Sequence, residues 1–158
     1  TPFEQLVQKM NQQMQEAGVE VDATATAQVN KRGSTFEFKS GDMFASGLAT
    51  VLPAAEPLLD RVAQNLLFLG ITNYRIDIEG HTDDVPINTA QFPSNWELSS
   101  ARASSVARFL ISRGVKPDRI TVIGYADTHP KVPNRDENGT PIPDNRTENR
   151  RIVIRIER

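Results

Sequence analysis

The sequence predicts an α/β domain of α+β sandwich type: a mixed β-sheet with two main helices packed on one face, preceded by an N-terminal amphipathic helix. Three observations carry this prediction. Apolar and polar residues alternate with period two in 23–29, 35–38, 74–79 and 152–157, with a short apolar run at 120–124. Two long stretches between these segments repeat their apolar residues at helical spacing instead. Strands interleaved with helices, with no internal repeat, give one sheet and one helical layer. We place the boundary between the N-terminal helix and linker region, 1–18, and the domain proper, 19–158.

In the first segment Phe3, Leu6, Val7, Met10, Met14 and Ala17 lie on one helical stripe, with Gln and Glu between them, and Gly18 supplies the stop. Such a thin, Met-rich stripe suits packing on the domain's own surface or a partner role. Ala23, Ala25, Ala27 and Val29 alternate with polar residues. Lys31, Arg32 and Gly33 then make a turn before Phe36 and Phe38, so the segment reads as a β-hairpin. After a loop over 40–52, Pro53 can open a helix with Ala55, Leu58, Leu59, Val62, Leu66 and Leu69 on a broad apolar face, closing at Gly70.

Tyr74, Ile76 and Ile78 alternate with Arg75, Asp77 and Glu79. This strand runs straight into Gly80-His81-Thr82-Asp83-Asp84. Ser94 and Glu97 are spaced as a capping box for a second helix, with Leu98, Val106, Phe109 and Leu110 inward and Gly114 at its exit. Residues 120–124 form a short strand. Pro130, Pro133, Pro141 and Pro143 then predict a long irregular loop from Tyr125 to Arg146. Ile152, Ile154 and Ile156 alternate with Val153, Arg155 and Glu157 in a final strand inside the sheet.

Composition narrows the function. A formal net charge of -2 provides no basic field for a polyphosphate backbone, which argues against nucleic acid as a partner. The absence of cysteine excludes disulfides and thiolate metal sites, and suits either the cytoplasm or the periplasm. No apolar run approaches the roughly 18 residues that a membrane span needs. The chain opens on Thr1, so we read it as a piece of something longer.

Asp83, at a strand end, and Arg102, on the next helix, can do one of two things. They can pair as an ordinary surface salt bridge, the commoner outcome for such residues. Held apart, they would receive a zwitterion, Arg102 gripping a carboxylate bidentately and Asp83 accepting from an ammonium, at about 1.5–3 kcal/mol per charge-assisted bond. His81 with Asp83 and Asp84 invites a metal or metal-dependent hydrolase reading. The cluster lacks a second ligand at defined spacing, and adjacent carboxylates point apart on an extended loop, so we expect neither metal, cofactor nor catalysis. For His81 the simpler reading is a ring packed or hydrogen-bonded at a strand end. Trp96 could stack on a sugar or pack at the helix start. Arg150 and Arg151 could satisfy helix-end carbonyls and pair with Glu148 or Asp144.

Taken in order, Gly80-His81-Thr82-Asp83, Asn95, Leu98-Ser99, Arg102-Ala103 and Asn149-Arg150-Arg151 resemble the motif blocks of the OmpA-like peptidoglycan-binding domain. Asp83-Asp84 with Pro86, and the block from Ser94 to Ser99, look like the B subunits of flagellar motor stators, the MotB and PomB group. The resemblance implies an OmpA-like mixed sheet. It also implies that Asp83 and Arg102 bind the diaminopimelate of the peptidoglycan stem peptide, while Thr82, Asn95, Leu98, Ser99 and Arg150 line or brace the pocket.

It further implies a periplasmic homodimer that anchors a stator to the cell wall without catalysing a reaction. An N-terminal transmembrane helix would lie upstream, and a stator A subunit in the inner membrane would be a partner. The periplasmic rings of the flagellar basal body are a further candidate. A rival within the same family is an OmpA or Pal-type tether of the outer membrane. Two departures from the family are a longer stretch between Asp83 and Asn95 and the long loop after Tyr125.

Overall fold

The computed structural model describes residues 2–21, 34–68 and 74–157. The predicted strand 23–29, the turn at 31–33 and the helix end at Leu69 and Gly70 lie outside them. Helix α1 spans Pro2–Glu16 and ends as its sequence predicts. Gly18 takes φ +83°. The amides of Val19 and Gly18 bond back to the carbonyls of Met14 and Gln15, each at 3.0 Å. This is a Schellman closure, which needs a residue without Cβ strain at that position. Val7, Met10 and Met14 are buried in the main core.

Among the described residues five strands follow: β1 (Glu20–Val21), β2 (Ser34–Lys39), β3 (Arg75–His81), β4 (Ile120–Gly124) and β5 (Arg151–Glu157). Their order in the sheet is β1-β2-β5-β3-β4. Among these strands only β3 and β4 run parallel, and β5 pairs antiparallel with both β2 and β3. The last strand in the chain is therefore the middle of the sheet.

One face carries Phe36, Phe38, Ile76, Ile78, Ile152, Ile154 and Ile156, all in the core. It meets α3 (Glu56–Phe68), entered through a 3₁₀ turn at Pro53–Ala55, and α4 (Asn95–Ser112), through Leu59, Val62, Leu66, Val106 and Leu110. The other face is ionic. Arg155 Nε reaches Glu79 Oε2 at 2.5 Å and Arg151 Nε lies 3.3 Å from Glu37 Oε1, one pair on either side of Val153. Such diagonal pairing across neighbouring strands is what period-two alternation places on one face.

Helix α4 approaches the sheet very closely at two glycines. A Cβ on Gly80 would come within 2.1 Å of the Ser99 carbonyl oxygen, and one on Gly124 within 2.0 Å of Ser100 Oγ. These contacts fix the start of α4 over the ends of β3 and β4.

Two connections hold more structure than the sequence suggested. The loop after β2 begins with the short helix α2 (Ser40–Met43) and is pinched by a bridge between Phe44 and Val51. The proline-rich stretch is irregular only up to Ile142. Pro143 then opens helix α5 (Pro143–Asn149), because a proline at a helix's first turn lacks an amide that would be unbonded anyway. Asn149 pins the irregular part: its Oδ1 accepts from the amides of Lys131 (2.9 Å) and Val132 (3.0 Å), and its Nδ2 donates to Val132 O and Asn134 Oδ1, both at 2.8 Å.

Candidate ligand-binding cleft

Beyond His81 the chain leaves β3 but stays tied to the segment after β4, with Thr82 N bonding Ala126 O at 2.9 Å. Asp83 is thereby held just beyond the C-terminal end of β3. Its Oδ1 accepts from Val85 N at 2.9 Å, an Asx turn that reverses the chain. Helix α4 starts opposite. The hydroxyl of its cap, Ser94, accepts from Trp96 N (3.2 Å) and meets the Glu97 carboxylate at 2.5 Å, so the two capping-box residues bond through their side chains. Asn95 Nδ2 donates to Val85 O at 3.0 Å and ties this helix start to the turn.

One turn beyond Leu98, Arg102 is only 5% exposed. Its Nε donates to Leu48 O (2.8 Å), its Nη2 to Ala45 O (3.3 Å), and the guanidinium lies 5.1 Å from the Phe44 ring centroid. Burial, reinforced by the charge of Arg150 and opposed by Asp83, pushes its pKa down to about 10, so it stays charged at neutral pH. The loop carbonyls occupy the Nε side of the fork. Bidentate recognition is left to the outer Nη pair.

These elements enclose a cleft of about 720 Å³. Thr82, Asp83, Asn95, Leu98, Arg102 and Arg150 line it, six of the seven site residues expected from the sequence. Ser99 is not among the lining residues. Its hydroxyl donates to Trp96 O (3.2 Å) and accepts from Ala126 N (3.0 Å), bracing α4 against the segment after β4.

Arg150 makes neither of the contacts its sequence neighbourhood suggested. Its Nη1 donates to Asp83 Oδ2 at 2.5 Å and its Nη2 to Thr147 Oγ1 at 3.0 Å, while Glu148 turns to Lys39 and Lys131. Trp96 is 53% exposed, which removes the reading of a packed helix-start residue.

Sequence reasoning missed several parts of the wall. Ala45 lines the cleft, and it and Leu48 seat Arg102 through backbone carbonyls, which leave no side-chain signature. Val85, Pro86 and Ile87 of the longer Asp83-to-Asn95 stretch also line the cleft. Phe92 of that stretch packs with Ala49 and Leu98 in a small separate apolar cluster. The stretch is held to the proline-rich loop by Asp84, whose oxygens take Arg135 Nε (2.9 Å) and Arg146 Nε (2.8 Å). The positions of these arginines gave no hint of that pairing.

The residues of the metal reading are engaged elsewhere. Among the described residues no three His, Asp or Glu side chains are grouped to hold a metal. His81 is 4% exposed, stacks on Tyr125 (centroids 5.0 Å apart) and bonds Glu79 Oε1 through Nε2 at 3.0 Å. Burial drives its pKa below 6.5, against the upward pull of Glu79. A histidine more easily protonated in the unfolded chain makes stability fall as pH drops below about 6.5 towards the folded-state value. Urea midpoints measured from pH 7.5 to 5.0 should show this decline, and His81→Gln should flatten it. Equal slopes in the two proteins would refute the assignment.

Comparison with known proteins decides the family: the OmpA family matches residues 43–142. The chain belongs to the OmpA family. Among its relatives, the YtxE protein of Bacillus subtilis is 37% identical over 156 residues, which is 98% of this chain and 60% of YtxE. Motility protein B of Bacillus subtilis is 31% identical over 81% of the chain and 46% of that protein. The peptidoglycan-binding protein ArfA of Mycobacterium tuberculosis is 34% identical over 70% of the chain and 30% of ArfA. This OmpA-family chain thus spans 60% or less of each of these relatives.

Among solved structures, a MotB-like protein from Desulfovibrio vulgaris superposes with a TM-score of 0.80 at 25% identity, covering 99% of this chain and 94% of that one. The cell wall anchor of the type VI secretion system from Pseudomonas aeruginosa gives 0.74 at 29% identity, covering 96% of each. The OmpA-like, MotB-type α+β fold expected from the sequence is the fold observed.

Proposed function

We propose that this domain binds peptidoglycan noncovalently, at the diaminopimelate of the stem peptide, and thereby anchors a flagellar stator B subunit to the cell wall. The observation that carries the reading is the separation of charges in the cleft. Asp83 and Arg102 line the same space, but Asp83 is paired with Arg150 and Arg102 with loop carbonyls. A carboxylate and a fixed guanidinium that share a cleft without pairing match the free end of diaminopimelate, which carries an ammonium and a carboxylate on one carbon. The likeness to motility protein B, to ArfA and to a cell wall anchor supports this choice of ligand and role.

Binding is the whole task in this reading. The carboxylates of Asp83 and Asp84 are each engaged by arginine, which leaves neither free for acid–base work. The parent protein would sit in the inner membrane through an upstream helix, project this domain into the periplasm, pair with a stator A subunit and act as a homodimer. Two clefts per dimer would raise weak single-site binding by avidity. The likeness to a secretion-system anchor also favours a second role in the same chemistry, tethering another envelope machine to the wall.

Co-sedimentation with purified sacculi tests the reading. Wild type should pellet, and Asp83→Asn and Arg102→Ala should each weaken pelleting by at least about tenfold, the loss of one charge-assisted bond. Equal sedimentation of all three would remove the cleft from consideration.

A further inference from the structure

The two arginines of the cleft are held very differently. Arg102 is buried and bonded to two backbone carbonyls, so its position is set by the fold. Arg150 has 41% of its side chain exposed, and among the described residues its side chain bonds, besides Asp83, only the Thr147 hydroxyl. The Asp83 side chain is 9% exposed, and its second oxygen is fixed by Val85 N. Arg150 thus occupies the one oxygen of Asp83 that a ligand's ammonium would use. Resting on the diaminopimelate reading, we infer that Arg150 is a displaceable counter-ion that makes the cleft selective for zwitterions.

The selection follows from charge balance. Two guanidinium groups and one carboxylate share the site, so the free cleft has one positive charge in excess. A simple cation that takes Asp83 expels Arg150 and leaves two guanidinium groups facing each other with nothing between them. A ligand that brings its own carboxylate resolves this. Its ammonium replaces Arg150 on Asp83, and its carboxylate takes Arg102 together with the released Arg150. One charge-assisted bond is exchanged for another, so Arg150 changes which ligands bind more than how tightly the right one binds.

Meso-diaminopimelate and cadaverine, its counterpart without carboxylates, form a matched pair of probes. Both can be titrated by NMR against the wild-type domain, with the shifts mapped onto the cleft. Wild type should bind diaminopimelate and discriminate strongly against cadaverine. Arg150→Gln removes the counter-ion and exposes Asp83, so the ratio of the two affinities should fall by at least about tenfold, mainly through tighter cadaverine binding. Arg150→Lys keeps a displaceable cation and should hold the ratio within about threefold of wild type. An unchanged ratio in Arg150→Gln, with diaminopimelate still binding wild type, overturns the inference alone. Failure of wild type to bind diaminopimelate at the cleft overturns the reading of the cleft, and the inference with it.

Discussion

Replacing Gly80 by alanine should destabilise the domain by about 3 kcal/mol or more, the upper end of what overpacking normally costs. The reason is what the new methyl would strike. Its position lies 2.1 Å from the Ser99 carbonyl oxygen and 2.8 Å from the carbonyl carbon, both backbone atoms of α4. A side chain could rotate aside, whereas relief here requires moving the helix off β3. Gly124→Ala meets the Ser100 amide at 2.8 Å and should behave alike. Gly41→Ala is the control, since nothing lies within 4 Å of its Cβ position and a helical alanine is mildly favourable. Guanidinium midpoints would measure all three, and a Gly80→Ala protein that melts with wild type would show that α4 does not sit where we describe it. Because α4 carries Asn95, Leu98 and Arg102, the same substitution should also spoil the cleft.

The second large effect is expected from the mildest-looking change in the site, Arg102→Lys. A lysine ammonium concentrates its donors on one atom and cannot span the carbonyls of Leu48 and Ala45 while also facing a ligand. It would also bury a compact, strongly hydrated charge where the delocalised guanidinium now lies 5% exposed against Phe44. Loss of the charge-assisted bonds to ligand, about 3 kcal/mol, corresponds to roughly a hundredfold weaker binding to sacculi. Thermal stability should fall as well, as the carbonyls of the 45–48 loop lose their donors. Binding within about threefold of wild type would mean that Arg102 acts only as a point charge.

Much of this was legible in the sequence because it follows from periodicity and side-chain chemistry. The isoleucines of β5, the stripe of α3 and the alternation of β3 each announce a single buried face, and each element forms about where the pattern places it. The ordered motif blocks brought together six residues that do share a cleft. What stayed hidden depends on backbone and on distance along the chain. The carbonyls that seat Arg102 come from a loop more than fifty positions earlier. Arg150 finds Asp83 across 67 positions, and Asp84 finds Arg146 across 62. Helix α5 is hidden because a proline signals a break in a sequence, although at a first turn it is a helix starter.

The place of β5 in the sheet has a consequence for the order in which the molecule is made. β2 and β3 are not neighbours; each pairs with β5, and β5 follows them all in the chain. A ribosome or secretion channel that releases the chain from its N-terminus delivers two strand pairs with no strand between them until residue 151 appears. Arg150 arrives at that same moment, next to an Asp83 that left the channel long before. The cleft is therefore completed last: a chain cut short before residue 150 keeps the loop carbonyls that seat Arg102 but lacks the guanidinium that sits on Asp83.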